Sequence, residues 1–312
     1  MPTRLLIAHD GSAEAGAALA TAGALFPGAQ GVVLTVFTPP MAYEEARTHG
    51  FLIDDATLRR GREALARQAQ EEAQETAAAA AQAGRAAGLE LEPHAREASG
   101  LSEWPALLAA AGEHGADAIV CGSRGRGGLA RSLLGSTSSG LVHHADRPVL
   151  VVPEAPEHPD GPALVAYDGS PGARAAIARA GALLPGRAAV VAHVWHSPIR
   201  HTVSGRALGH APLGELREFI GDYDAMFQAI AADVADEGAA LAREAGLDAT
   251  AETIESPAGV WRALAEAAGR LGAPVIVAGS RGRGGVASAL LGSVASGLVH
   301  NASTPSLVVP GG

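Results

Sequence analysis

The amino-acid sequence predicts an α/β protein made of two tandem doubly wound domains, each a parallel five-stranded sheet with helices on both faces. Three observations carry this. Short apolar runs alternate with longer helix-forming segments, which implies parallel strands joined by right-handed helical crossovers. The segment Ile119–Pro153 recurs as Ile276–Pro310 with 25 identities in 35 ungapped residues. A glycine-rich stretch follows the same apolar run in each copy.

The duplication sets the domain organisation. Asp10-Gly11-Ser12 recurs as Asp168-Gly169-Ser170, and Pro27-Gly28 as Pro185-Gly186, both 158 positions on. Trp104 recurs as Trp261 at an offset of 157, so one residue is lost between. Two copies of this length are a domain duplication and not a repeat array. The segment from Glu154 to Gly161 holds three acidic residues, two prolines and a closing glycine. That composition reads as an extended, solvated linker. The expected domains are therefore 1–153 and 162–312, joined by 154–161.

The elements of the first copy follow in order. Arg4–His9 is a short apolar run, as for a strand buried on both faces. Ser12 caps a helix that runs to about Phe26 and stops before Pro27-Gly28. Val32–Phe37 is rich in β-branched residues and reads as strand two. Leu58–Gly84, dominated by Ala, Glu, Gln and Arg, is a long helix. Leu89–Glu97 alternates in part and is strand three. Trp104–Glu113 is a helix, Ala118–Gly122 strand four, Leu133–His144 a helix, and Pro148–Val152 the last strand. In such sheets ligands sit beyond the carboxyl ends of the strands. Asp10 and the stretch opening at Gly122 both lie there.

Composition narrows the function. The net charge is −10, which argues against nonspecific binding to nucleic acid or an anionic membrane. All 23 basic residues are arginine. This excludes chemistry that requires a lysine, such as a Walker A loop, a pyridoxal Schiff base or a kinase active site. The single cysteine, Cys121, forbids an internal disulfide and fits a reducing cytoplasm. The apolar run at the N-terminus is too short for a signal peptide, and no run is long enough for a transmembrane helix.

The glycine stretch has the spacing Gly-x2-Gly-x9-Gly-Ser, as Gly122, Gly125, Gly135 and Ser136, and again as Gly279, Gly282, Gly292 and Ser293. Glycines admit close approach of a ligand to the backbone and positive φ. Successive exposed N–H groups form an anion-binding nest. Gly135-Ser136 opens a helix, whose free N–H groups and dipole favour a phosphate. Arg124 and Arg126 supply positive charge. One glycine cluster alone reads as a loop; two copies at one spacing, each between strand and helix, read as a phosphate cradle.

The pattern resembles the universal stress protein family in its tandem form, over both halves nearly end to end. The resemblance rests on the strand ending in Asp-Gly-Ser, the Gly-x2-Gly-x9-Gly-Ser loop and the closing Pro-x-Leu-Val-Val-Pro strand. It implies the strand order 3-2-1-4-5. It implies that Val149–Val152 and Leu307–Val309 pair within the chain as a pseudo-dimer. It implies that ATP is the ligand, with Mg2+ carried on the phosphates. By the same resemblance Asp10 and Asp168 face the adenine and ribose, and Val36 and Val194 contact adenine. Gly122 and Gly279 lie beside the ribose. Gly125, Gly135 and Ser136, with Gly282, Gly292 and Ser293, form the phosphate cradle. Thr137 and Val294 donate backbone N–H groups, and Arg124 and Arg281 stand near the ribose and phosphates.

The function expected is therefore a cytoplasmic ATP-binding stress-response protein, with homodimer formation a further expectation. Two alternatives stay open: a slow nucleotide hydrolase or adenylyl-transferring enzyme on the same fold, and an interaction scaffold with unused pockets. No residue is assigned a catalytic or metal-ligating role. His193, His196, His201 and His210 are irregularly spaced and lack partners at metal-ligand spacing, so they read as solvated loop histidines. Cys121 reads as a small core residue, and Trp104 and Trp261 as core packing. The long segments Pro40–Leu58 and Ser197–Asp222 differ between copies and each stands to cover its own pocket.

Overall fold

A computed structural model describes residues 2–38, 55–98, 100, 102–125, 134–197, 213–282 and 291–311. Arg126, Gly127, Gly128, Leu133, His201, His210 and most of the two long segments lie outside the described residues. The chain divides into two compact units, Met1–Ala155 and Pro156–Gly312.

In the first unit the elements are β1 (Arg4–Ala8), α1 (Ala13–Leu25), β2 (Gln30–Phe37), α2 (Asp55–Ala86), β3 (Glu90–Glu97), α3 (Trp104–Glu113), β4 (Ala118–Gly122), α4 (Ser136–His144) and β5 (Val149–Val152). All pairings are parallel, in the order β3-β2-β1-β4-β5. The central strands are apolar because both faces are covered. Leu5, Leu6 and Ile7 of β1 are buried, as are all residues of β4 and β5. α1 packs on β4 and β5 beside α2, while α3 packs on β1 and β2 beside α4. These are the two helical layers of a doubly wound sheet.

Local chemistry sets the ends. Ser12 Oγ accepts from Ala15 N at 3.2 Å and starts α1. Gly28, at φ 74°, turns the chain after it. Arg147 donates to the carbonyls of Ala111 and Ala116 at 2.7 and 2.8 Å, satisfying the end of α3 and the turn that follows. Several boundaries differ from the sequence reading: β2 begins at Gln30 and not Val32, α2 spans Asp55–Ala86 and not Leu58–Gly84, and the start of α4 moves most clearly. α4 starts at Ser136 and not at Leu133, because Gly135 takes the extended cap conformation at φ −63°, ψ 153°. A cap is non-helical by definition, whatever the apolar pattern before it.

The second unit repeats the frame: β6 (Ala163–Ala166), α5 (Pro171–Leu183), β7 (Ala188–Trp195), α6 (Leu213–Glu244), β8 (Asp248–Glu255), α7 (Val260–Leu271), β9 (Ile276–Gly279), α8 (Ser293–Asn301) and β10 (Ser306–Val309). Its order is β8-β7-β6-β9-β10, all parallel, so each domain carries the expected 3-2-1-4-5. Alanines dominate its core: Ala267, Ala268, Ala278 and Ala302 pack with Leu164, Leu264, Ile276 and Leu298. Small residues let helices lie close to the sheet. His193 corrects the sequence reading: it sits in β7, buried, with Nδ1 2.8 Å from the Tyr167 carbonyl. His196 is exposed.

Candidate functional site

Two chain reversals build the site in each domain. The first follows β1. Gly11, at φ 83°, turns the chain, and Ser12 N donates to Asp10 Oδ1 at 2.9 Å. This fixes the carboxylate at the strand's carboxyl end. The copy matches: Gly169 is at φ 79°, and Ser170 N donates to Asp168 Oδ1 at 3.0 Å.

The second reversal follows β4. Gly135 N donates back to Ser123 O at 2.8 Å, so the loop returns to the residue after the strand. Gly292 N donates to Ser280 O at 2.7 Å in the copy. α4 then begins. Ser139 N is the first to bond within the helix, to Gly135 O at 2.9 Å. The N–H groups of Ser136, Thr137 and Ser138 lie ahead of it, and no side chain caps them. α8 has the same open start, with Ser296 N bonded to Gly292 O and no side-chain cap. An uncapped helix start of this kind is a ready anion site.

The glycines are needed here for space. None of Gly122, Gly125, Gly135, Gly279, Gly282 and Gly292 has a positive φ, so the conformational reason expected from sequence does not apply at them. A Cβ at Gly125 would lie 2.5 Å from Asp10 Oδ2, and one at Gly282 2.8 Å from Asp168 Oδ2. One at Gly122 would lie 3.0 Å from Glu14 of α1, and one at Gly279 2.7 Å from the Gly172 backbone. Each glycine thus lets the loop close over the aspartate or over the start of the first helix.

The sequence-selected residues converge. Asp10, Val36, Gly122, Arg124, Gly125, Gly135, Ser136 and Thr137 all line one cavity of about 490 Å3. Asp168, Val194, Gly279, Arg281, Gly282, Gly292, Ser293 and Val294 all line another of about 420 Å3. Both volumes suit a small organic ligand.

The structure also brings in residues that the sequence reading did not select. In the first domain these include Glu103, Thr35, Cys121 and Ser138. Thr137 Oγ1 donates to Glu103 Oε2 at 2.9 Å, across the gap between the starts of α3 and α4. Ser138 Oγ stands 3.0 Å from the carbonyls of both Gly122 and Ser123. Thr35 donates to His9 O at 2.7 Å. Burial pushes the Cys121 thiol up to about 12, against a smaller lowering by its hydrogen bond with Ser138. At the matching positions the second domain has Val260, His193, Ala278 and Ala295, with Val294 for Thr137. The signal for Glu103 was available: at the 157-residue offset it faces Val260, an acid against an apolar residue.

The arginines differ as well. Arg124 lies 3.7 Å from Glu14, both half-buried. Gly172 stands at the place of Glu14, so the second domain has no carboxylate there for Arg281.

Among the described residues no group of three or more His, Cys, Asp or Glu could hold a metal ion. Among them, too, no helix is long and apolar enough to cross a membrane.

Comparison with known proteins bears on both halves. The sequence profile of the universal stress protein family matches residues 1–153 and again 161–310. A universal stress protein of Mycolicibacterium smegmatis is 35% identical over 204 residues, covering 62% of this chain and 62% of that protein. One of Mycobacterium tuberculosis is 34% identical over 203 residues, covering 62% of this chain and 61% of its own length. The matches thus span under two thirds of these relatives. The crystal structure of a universal stress protein from Archaeoglobus fulgidus superposes with a TM-score of 0.58 at 20% identity, covering 99% of this chain and 98% of the other. That similarity is one of fold.

Proposed function

The chain belongs to the universal stress protein family, and from that premise we propose that each of its domains binds ATP, as a ligand or conformational signal in a cytoplasmic stress response. The observation that carries this is the pairing, twice in one chain, of an uncapped helix start with an aspartate carboxylate that a loop glycine approaches closely. The N–H groups opening α4 and α8 point a positive dipole end into the cavity. Ser136 and Ser293 add hydroxyl donors. Asp10 and Asp168, held by their own turns, present acceptors suited to ribose hydroxyls or the adenine amino group. Val36 and Val194 supply an apolar wall for the base. Arg124 and Arg281 offset phosphate charge, and Mg2+ carried on the phosphates would add charge neutralisation there.

What supports a phosphate there is the close packing of the loop glycines: a Cβ on Gly125 or Gly282 would meet the aspartate carboxylate, and one on Gly135 or Gly292 the carbonyl of Ser123 or Ser280. Val36 and Val194 are only partly buried, so an apolar wall faces the cavity in each domain.

The test is the nucleotide content of the purified chain, released by denaturation and resolved by ion-pair chromatography. Adenine nucleotide in both domains supports the reading, and conversion of bound ATP to ADP over hours would add slow hydrolysis to it. An empty chain that also takes up no ATP on titration sinks the reading and leaves an interaction scaffold.

A further inference from the structure

The two cavities share an aspartate, a glycine loop and an open helix start, yet they face a phosphate with different charge. Glu103 occupies the cap position of α3, makes no capping hydrogen bond to its own helix, and lines the first cavity. Its carboxylate instead accepts from Thr137 Oγ1 at 2.9 Å. Thr137 is the second residue of α4, the helix whose opening N–H groups form the cradle. The carboxylate therefore stands at the positive end of α4, where an incoming phosphate would go. Arg124, which lines the same cavity, is drawn to Glu14 at 3.7 Å.

The second domain lacks each of these features. Val260 takes the place of Glu103, Val294 that of Thr137 and Gly172 that of Glu14. Asp10 and Asp168 are common to both and cancel in the comparison. Among the described residues, then, the first cavity carries one more carboxylate in its wall than the second, and its arginine is partly neutralised. In a partly buried site like charges a few ångströms apart repel strongly.

Resting on the nucleotide-binding reading, we infer that Glu103 makes the two pockets unequal: the first discriminates against highly charged, uncomplexed polyphosphate, and the second accepts it. The first domain binds free ATP more weakly than the second and favours adenine ligands of lower phosphate charge. Free ATP fills the second domain first. Glu103 is thus a specificity-determining residue for this chain, and it acts through charge.

The experiment is calorimetric titration of the full chain in EDTA with ATP and, separately, with adenosine. The native chain is expected to show two ATP-binding steps of unequal affinity. Glu103→Gln keeps an acceptor for Thr137 and removes the charge. It is expected to tighten the weaker ATP step about tenfold and to change adenosine binding far less. The double variant Val260→Glu with Val294→Thr installs the pair in the second domain. It is expected to weaken the stronger ATP step by a similar factor. Equal ATP steps in the native chain, or a Glu103→Gln effect as large for adenosine as for ATP, overturn the inference while leaving two nucleotide sites in place. Absence of ATP binding in every variant overturns the nucleotide reading and the inference together.

Discussion

Thr137 and Val294 occupy the same place in two copies of one frame, and around them the pockets have diverged. The first domain surrounds its helix start with Glu103, Thr137, Ser138 and Cys121, the second with Val260, Val294, Ala295 and Ala278. What has not diverged is the backbone work. The Asp-Gly-Ser turn, the bond from Gly135 or Gly292 back to the start of its loop, and the glycine facing the aspartate are the same to within a few tenths of an ångström. The comparison separates two layers of the site. The close approach made by each loop glycine is retained; the side chains that line the pocket have changed.

The largest effect lies at the retained layer. Gly125→Val puts a branched side chain where even a Cβ would meet Asp10 Oδ2 at 2.5 Å. Nucleotide binding in the first domain is expected to fall by more than ~100-fold, since a misplaced cradle forfeits both orientation and hydrogen bonds. Gly282→Val is expected to do the same in the second domain, against a Cβ distance of 2.8 Å. Titration of each single variant should show one ATP step lost and the other intact. A Gly125→Val chain that still shows both steps would break the equivalence of the two cradles.

Next come the glycines beneath the tryptophans. A Cβ on Gly140 or Gly297 would collide with the ring of Trp104 or Trp261, in the contact between α3 and α4 or between α7 and α8. Trp104 also stacks on His144 at 4.4 Å between ring centroids; the second domain has Asn301 there. Gly140→Ala and Gly297→Ala should each cost ~1–3 kcal/mol through overpacking, read by urea unfolding of the full chain. The costs should be similar, because the clash and not the stack sets them. A much larger loss for Gly140→Ala would show that the Trp104–His144 stack fixes the ring more firmly than packing alone.

Helix capping should give a smaller and equal pair of effects. Ser12 and Ser170 accept from Ala15 N and Ala173 N, each at 3.2 Å. Replacing either by alanine should cost ~1 kcal/mol. Pro171, at the first position of α5, has no counterpart in α1; it pre-sets the helical φ. A clearly smaller loss for Ser170→Ala would assign that pre-organisation a measurable share.

Much of the frame was legible in the sequence, and the reason is burial. β4 is apolar throughout, and β1 is apolar from Leu5 on, because both faces of these segments are covered, so their limits could be read to within a residue. Ser12 and the Pro27-Gly28 stop carry their own local chemistry. β2 reached two residues further back than its apolar pattern, since Gln30 and Gly31 pair with Arg4 and Leu5 through backbone alone. His193 was misread because neighbouring histidines suggested a loop; its hydrogen bond to the Tyr167 carbonyl, made across the sheet, is a tertiary fact. Glu103 was missed for a related reason. Its meaning comes from the meeting of two helix starts that are far apart in the chain, and no local pattern marks that meeting.

Cys121 gives the smallest predicted effect and a sharp one. It is the penultimate residue of a fully buried strand, and its counterpart Ala278 shows that the frame needs only a small residue there. Burial raises the thiol to about 12, because a thiolate would lose its hydration with no cation to replace it; the hydrogen bond with Ser138 recovers only part. The thiolate is the reactive form. At pH 8 the group stays protonated, far below the value at which it ionises. Alkylation of the native chain should therefore be negligible over the time in which the urea-unfolded chain, with an ordinary thiol, reacts to completion. Because the folded value is raised, deprotonation favours the unfolded state. The contribution of Cys121 to stability is accordingly constant below the usual thiol range and declines as pH rises above it, toward the folded value. Cys121→Ala, which copies the second domain, should remove that alkaline decline and leave nucleotide binding unchanged. Rapid labelling of the native chain at pH 8 would mean that the first cavity opens far enough to hydrate β4, a motion that the second domain, with alanine in the same place, could not report.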